Sequence, residues 1–283
     1  GKEDILVRWL LSHRGGLPVL DEPLAIEEFL AWEPPVKALA VQSPKWQPGT
    51  AHGYHAITFG WLVGELVRRI SGKSLGTFFA DEVAGPLGLD FWIGLPESEE
   101  HRGSPTIDID LEDPAIEPKG ERAREMLEAA TTVDSYLMQE QTTTPLDVSA
   151  REFRAAELPA ANGVTDARSL ARMYASLIGD GVDGVRLFMD ETVTRASAEE
   201  AAGRDEAMGT YTRFGLGFYL YQDGSNMVRE GAFGHGGAGG SIGFADPRAE
   251  IGFAYVMNKM QMVGDDDPRT VDLAQAVHAS LTR

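Results

Sequence analysis

The chain has 283 residues, of which 43% are hydrophobic and 24% charged, so it can bury a substantial core. Its 25 basic and 44 acidic residues give a formal net charge of −19, which disfavours nucleic acid and anionic membrane surfaces as partners. The absence of cysteine excludes disulfides, a thiolate nucleophile and cysteine-based metal sites, and it favours a cytoplasmic location.

The first two thirds of the chain carry mainly helical patterns. Apolar residues at helical spacing predict helices over residues 4–11 and 59–70, the second followed by Gly72 as a C-cap. The proline-rich stretch 33–50 between them is predicted to be a surface loop. Further on, Asp166 is a candidate N-cap for another helix.

The last third changes to strand patterns. Residues 214–220 alternate between apolar and polar positions, which predicts a strand, and a second strand is expected over 227–233. Two more strands, 241–245 and 251–257, flank an Asp-Pro turn and predict a hairpin. A helix over 268–281 closes the chain.

Helices followed by an antiparallel meander and a terminal helix predict an α+β fold. We expect a mainly helical part over residues 1–205 and an antiparallel sheet with its C-terminal helix over 206–283, intertwined as one catalytic domain. The polar, acidic stretch 97–150, with a weak helical pattern near 121–130, is interpreted as an insertion or lid.

Two stretches contain residues suited to chemistry on a carbonyl group. The first runs from Pro48 to Tyr54 and precedes a long amphipathic helix. The second, from Phe233 to Gly240, is a glycine-rich strand edge whose bare N–H groups could bind an oxyanion. His235 is the side chain there that can exchange a proton. The alternative interpretation is a glycine-rich bulge beside a core histidine.

Two other patterns are weaker. Residues 239–243 fit G-x-S-x-G around Ser241, but a strand rather than the required helix is predicted to follow, so we interpret the match as coincidental. His52 and His55, or the acidic run 265–267, do not supply the three or four converging ligands that a metal needs. No metal or organic cofactor is therefore expected.

Taken together, five ordered motifs resemble the serine β-lactamase-like superfamily, and most of all class C β-lactamases and family VIII carboxylesterases. The motifs are Leu10-Leu-Ser-His-Arg-Gly-Gly-Leu17, Pro48-Gly-Thr-Ala-His-Gly-Tyr54, Pro86-Leu-Gly-Leu89, His235-Gly-Gly237, and the strand Ile251 to Lys259. The resemblance implies a β-lactamase/DD-peptidase-like fold, with an antiparallel sheet flanked by helices and a mainly helical subdomain.

The resemblance also implies roles for individual residues. Tyr54 corresponds to the family's base or proton shuttle, and His235 stands at the position of its Lys-Thr-Gly strand motif. Ala238 N–H would form half of an oxyanion hole, beside Gly236 and Gly237. Asn162 could line the site, although a loop turn is the simpler role for it. The expected activity is that of a serine hydrolase, an esterase acting through an acyl-enzyme on a small ester or amide substrate.

The family's Ser-x-x-Lys motif, which carries the nucleophile, is absent from these 283 residues. None of the six lysines has a serine three positions before it; those positions hold Pro34, Gln42, Ile70, Ile116 and Val256, and Lys2 has none. The family's Tyr-x-Asn also reads Tyr54-His55-Ala56, and losing that amide favours esters over β-lactams.

Three expectations follow from that absence. The chain alone should be inactive, because nothing in it would attack the carbonyl. The N-terminal strands of the fold should also be missing, and an open sheet edge should then be covered by the missing N-terminal segment or by a swapped copy. The alternative function is a non-catalytic relative that binds a ligand in the inherited cleft. An unrelated α+β binding protein is a further possibility, and it predicts that Tyr54 and His235 lie far apart.

Overall fold

The computed structural model describes residues 1–107, 139–261 and 267–281, together with Arg124, Glu125, Glu128 and Tyr136. Helices alternate with loops up to residue 196, and one more helix follows the main sheet at the end of the described chain. They are α1 (Val7–Leu11), α2 (Ile26–Leu30), α3 (Glu33–Val41), α4 (Thr58–Ser71), α5 (Leu75–Phe79), α6 (Gly85–Leu87), α7 (Arg151–Ala155), α8 (Ala167–Ala175), α9 (Asp190–Ala196) and α10 (Pro268–Leu281). A π-helical turn joins α5 to α6, and a 3-10 helix covers Glu97–Arg102.

The strands form two antiparallel sheets. β1 (Phe91–Ile93) pairs with β2 (Gly163–Thr165). The main sheet has six strands in sequence order: β3 (Ala201–Arg204), β4 (Tyr211–Phe214), β5 (Tyr219–Leu220), β6 (Phe233–Gly236), β7 (Ile242–Asp246) and β8 (Ile251–Tyr255). The observed class is therefore α+β, as predicted.

Helices cover both faces of the main sheet. Alternate residues of β7 point in opposite directions, and Phe244 packs in the cluster that includes Ala274 of α10. On the other face Ala245 packs with Tyr174 near the end of α8. Gly243, two residues before Ala245 on the same face of β7, lets this tyrosine approach closely: a Cβ there would lie 2.4 Å from Cε2 of Tyr174. The sheet is thus covered by a helix on each face.

Several predicted elements are confirmed. α4 ends at Gly72, which adopts the left-handed conformation with φ of 73°. Asp166 caps α8 by accepting a hydrogen bond from Ser169 N at 2.7 Å. The Asp-Pro hairpin joins β7 to β8, and its turn is stabilised because Asp246 accepts from the backbone N–H of Arg248 and Ala249.

Three strand and loop predictions are wrong. The predicted loop 33–50 contains α3, because Pro34 and Pro35 occupy the first turn, where a helix needs no N–H. The single strand predicted over 214–220 is a tight hairpin between β4 and β5, with Gly217 at φ of 88°. Residues 227–232 form turns rather than a strand, and β6 begins only at Phe233.

The domain division and the insertion remain predictions. The main sheet begins at Ala201, shortly before the expected boundary at residue 205. Most of the helical pattern near 121–130 lies outside the described residues; Arg124, Glu125 and Glu128 are helical. None of the helices in the described ranges combines the length and apolar composition that a membrane crossing requires.

Candidate active site

Tyr54 and His235 lie side by side where the loop before α4 packs on the main sheet. Tyr54 lies in the loop that leads into α4, and His235 lies on β6. Their ring centroids are 5.8 Å apart, and both side chains are half-buried. Two candidate residues 181 positions apart in sequence are therefore neighbours, contrary to the expectation for an unrelated binding protein.

Aromatic side chains from the sheet hold this pair in place. The Tyr54 ring stacks on Phe214 of β4, with an interplanar angle of 6° and centroids 6.2 Å apart. Tyr219 of β5 contacts both partners, at 5.7 Å from Tyr54 and 4.7 Å from His235. Tyr219 pairs with Gly234 in the sheet, next to His235, so the strand register fixes this contact.

The hydrogen bonding of His235 defines its tautomer. Nδ1 lies 2.5 Å from the carbonyl oxygen of Gly236, which can only accept, so Nδ1 carries the hydrogen. In the neutral ring the lone pair is then on Nε2. His235 can accept a proton through that nitrogen, which suits a group that assists proton transfer.

The loop after β6 supplies the candidate oxyanion donor. Gly237 N donates to Ser241 O at 2.7 Å, and Gly240 N donates to Gly237 O at 3.1 Å, so the loop folds back on itself. The N–H of Ala238, at the exposed tip of the loop, has no hydrogen-bond partner within the described part of the chain. Such a bare N–H is the kind of donor that an oxyanion requires.

Arg269 of α10 braces this loop from behind. Its Nη2 donates to the carbonyl oxygen of Gly239 at 2.8 Å and to Asp267 at 2.7 Å. Gly240 allows the close approach, since a Cβ there would lie 2.0 Å from Nη2 of Arg269. The Asp267 carboxylate raises the pKa of Arg269, so the guanidinium stays charged and the brace stays in place.

Two buried histidines stand behind Tyr54. His55 accepts from Leu17 N at Nε2, 3.0 Å away, and donates from Nδ1 to Gly53 O at 2.6 Å, so it is neutral. Burial lowers its pKa to about 4. His13 contacts the Tyr54 ring edge-on at 5.1 Å, and burial, with the neighbouring histidines, holds its pKa well below the usual value.

These depressed values predict that the protein loses stability between pH 6.5 and 4. In the unfolded chain His55 binds a proton below about pH 6.5, whereas in the folded chain it does so only below about pH 4. Protons therefore stabilise the unfolded state over this range, and unfolding becomes easier as the pH falls. His55 alone should contribute about 3 kcal/mol across this window. In thermal unfolding, His55→Gln should flatten the pH dependence and the exposed control His101→Gln should not. A wild-type Tm that is constant over this window would contradict the prediction.

Asn162 lies in the loop before β2, and its described side-chain hydrogen bonds go to backbone groups of residues 153–158. Its Nδ2 donates to the carbonyl oxygens of Phe153 and Ala156, and its Oδ1 accepts from Leu158 N. These bonds use the amide to fold the loop. Its substrate-binding role stays a prediction.

In the described residues, neither the G-x-S-x-G match nor the candidate metal ligands form the site that the pattern would require. Ser241 stands at the start of β7, so a strand follows it, and its Oγ accepts from Met257 N at 3.3 Å. His52 bonds Thr212, separately from His55. Asp265 and Asp266 lie outside the described residues. No group of three or more potential ligands could hold a metal ion in the part of the chain that is described.

The structure has the α+β fold that the motifs predicted, and a tyrosine before a helix contacts its glycine-rich strand. The motifs associate this arrangement with a class of serine hydrolases. The chain belongs to the Beta-lactamase family, whose profile matches residues 1–278. This establishes a β-lactamase-like serine hydrolase family for the chain.

Individual relatives agree with this assignment. "Esterase/beta-lactamase LipL" of Mycobacterium tuberculosis is 32% identical over 278 residues, which are 92% of this chain. The chain spans only 60% of that curated relative. The crystal structure of a family VIII carboxylesterase shares 35% identity and a TM-score of 0.82, covering 99% of this chain and 72% of that one. EstA from Arthrobacter nitroguajacolicus Rue61a shares 36% identity and a TM-score of 0.82, covering 100% and 74%.

Sequence patterns missed the residues that surround the two central side chains. Phe214 and Tyr219 were assigned to a strand but not to the site, and His13 was noted only as part of a motif. The alternation of residues 214–220 carried no signal for the site, because a single strand would place Phe214 and Tyr219 on opposite faces. The turn at Gly217 brings both rings beside Tyr54. Periodicity gives the face of a strand, but it does not identify the loop that packs on it.

Proposed function

We propose that the protein is a serine hydrolase of the carboxylesterase type that works through an acyl-enzyme. The observation that carries this proposal is the contact of Tyr54 with His235, on the strand whose following loop carries the bare N–H of Ala238. The likeness to the family VIII carboxylesterase and to EstA supports an ester substrate. The loss of the Tyr-x-Asn amide, with Ala56 in its place, supports an ester over a β-lactam.

In the proposed reaction a serine hydroxyl attacks the ester carbonyl, and Tyr54 takes the proton of that hydroxyl. The negative charge that develops on the carbonyl oxygen is stabilised by the N–H of Ala238. Gly236 and Gly237, which have no side chains, leave room for the acyl group along the strand. Tyr54, assisted by His235, then returns the proton to the leaving alcohol. Water releases the acid in a second, equivalent step.

We further propose that the nucleophilic serine comes from outside these 283 residues, and that the chain alone is inactive. The proposal rests on the lack of Ser-x-x-Lys in the sequence. The part of the family VIII carboxylesterase that this chain does not cover is 28% of its length. In this family the nucleophile lies upstream of the motif that here begins at Leu10.

The same segment, or a swapped copy, is proposed to cover one edge of the main sheet. In the described part of the chain β8 pairs only with β7, and all five of its residues are half-buried. Close by in sequence, α10 exposes Leu273, Val277 and Leu281, which recur every fourth residue and so share one helix face. An open edge beside apolar surface is a site for strand addition.

Fragment complementation tests the proposed function. A segment made to carry the Ser-x-x-Lys motif of the superfamily is mixed with this chain, and hydrolysis of p-nitrophenyl butyrate is followed. The mixture is called the complemented enzyme. We expect hydrolysis only in the mixture, and none when the segment's serine is replaced by alanine. Hydrolysis by the chain alone would contradict an external nucleophile. An inactive mixture, with an ester analogue bound by the chain alone, would favour the non-catalytic ligand-binding protein.

A further inference from the structure

The loop that carries Tyr54 is held at three consecutive backbone N–H groups. Gly53 N donates to the carbonyl oxygen of His13 at 3.0 Å, and His55 N donates to Nδ1 of the same histidine at 3.1 Å. Between them, Tyr54 N donates to both carboxylate oxygens of Asp205, each at 3.0 Å. The loop lies outside any helix or strand, so these acceptors replace the partners that regular structure would give.

Asp205 is anchored in the turn between β3 and β4. Its side chain is fully buried, and its Oδ1 also accepts from Ala207 N and Met208 N, both at 2.8 Å. The turn also touches the loop through its backbone, because Glu206 N donates to His52 O at 3.0 Å. The carboxylate therefore does two separable things: it closes its own turn, and it ties that turn to Tyr54.

A buried hydroxyl completes the surroundings of the carboxylate. Thr212 donates from Oγ1 to Oδ2 of Asp205 at 3.0 Å, and in turn lies 2.9 Å from Nε2 of His52. Within the described ranges no lysine or arginine forms an ion pair with Asp205. In the described part of the chain, the carboxylate accepts hydrogen bonds from three N–H groups and one O–H group. Two acceptor oxygens can serve all four donors, and a single hydroxyl cannot.

We propose that Asp205 is a positioning residue for Tyr54: it fixes the Tyr54 backbone to the β3–β4 turn and so sets the distance of the phenol from His235. β4 leaves this turn and carries Phe214, on which the Tyr54 ring stacks. The loop is thus attached to the main sheet through the backbone N–H of Tyr54 and through the Tyr54 ring. The importance of this distance for hydrolysis rests on the proposed function, but the attachment itself does not.

Two substitutions separate the attachment from the closing of the turn. Asp205→Asn keeps one oxygen that can accept from the turn and from Tyr54 N, and its amide can donate to Thr212. Asp205→Ser places a hydroxyl that can still cap the turn, but the side chain is too short to reach Tyr54 N as well. Thr212→Val is the matched control, because it disturbs the same buried network without removing the bond to Tyr54.

The direct measurement is NMR of the chain with ¹³C-labelled tyrosine rings. The chain has seven tyrosines, and Tyr54→Phe assigns the signal of interest. The stacked Phe214 and the nearby Tyr219 make the shifts of Tyr54 sensitive to displacement. Tyr174, buried on the opposite side of the sheet, reports whether the fold is intact. We expect Asp205→Ser to move the Tyr54 signal while Tyr174 stays, and Asp205→Asn and Thr212→Val to leave both in place.

Other outcomes overturn the inference. A Tyr54 signal unchanged in Asp205→Ser would show that the bond does not hold the loop. Equal displacement in Asp205→Asn and Asp205→Ser, or in Thr212→Val, would show that accepting from Tyr54 N is not the cause. Loss of the Tyr174 signal in Asp205→Ser would assign Asp205 to the stability of the turn instead.

Kinetics of the complemented enzyme add a second readout. Asp205→Ser should lower kcat about 10²-fold because the phenol is misplaced, with KM unchanged and recovery in Asp205→Asn. An unchanged kcat, with wild-type hydrolysis intact, would contradict positioning. Absence of hydrolysis even with wild-type chain would count against the proposed function, while the NMR result would still decide the role of Asp205.

Discussion

Tyr54→Phe is expected to lower the rate of ester hydrolysis by the complemented enzyme by about 10²- to 10⁴-fold, with little change in KM. The substitution removes only the phenolic oxygen, which in the proposed reaction accepts and returns the proton. The ring remains, so its stacking on Phe214 and its contact with His13 are preserved. The measurement is kcat and KM for p-nitrophenyl butyrate.

Tyr211→Phe is the matched control, because this tyrosine lies on β4 with 52% of its surface exposed. It should hydrolyse the ester at the wild-type rate. If Tyr54→Phe also kept its rate within about threefold, less than the loss of a general base produces, Tyr54 would not be the proton-transfer group. His235 would then be the next residue to replace.

Gly234→Ala is expected to lower the free energy of unfolding by more than about 3 kcal/mol, the upper end for overpacking a core. Gly234 is buried in β6, beside His235. A Cβ there would lie 2.2 Å from the carbonyl oxygen of Gly243 and 2.5 Å from Cβ of Phe244. Both atoms belong to β7, whose position is fixed by packing on both faces, so neither can move cheaply.

Chemical denaturation measures this loss, and the same strand provides its control. Gly236→Ala adds the same methyl group two residues later, where the nearest atom is 3.9 Å away. This second variant should unfold at nearly the wild-type denaturant concentration. Comparable stability of the two variants would mean that β6 and β7 can separate without cost, and that the close approach does not fix the position of His235.

The sequence predicted much of this fold where a local signal decides the structure. Gly72 and Asp166 marked helix ends correctly because capping depends on the residue itself. The motif around His235 also led to the correct family. Residues 214–220 were predicted less well, because alternation is the same in one strand and in a tight hairpin. Only the left-handed turn at Gly217, which the pattern does not encode, divides them.

The candidate site was predictable in its centre and not in its supports. Tyr54 and His235 were identifiable because chemistry restricts which side chains can transfer a proton beside a carbonyl group. Asp205 was not, since its function depends on a bond to a residue 151 positions away. The sequence contains many aspartates in turns, and a turn position alone does not reveal which of them also binds a distant loop.

Intact-mass spectrometry with a fluorophosphonate serine probe tests the central claim most directly, namely that this chain supplies a prepared hydrolase site and another segment supplies the nucleophile. The probe is added to the chain, to the Ser-x-x-Lys segment and to their mixture. We expect the 30.7 kDa chain to remain unmodified throughout, and the segment to gain one adduct only in the mixture. An adduct on the 30.7 kDa chain, with Ser241 the first residue to map, or no adduct on either species in the mixture, would contradict the account.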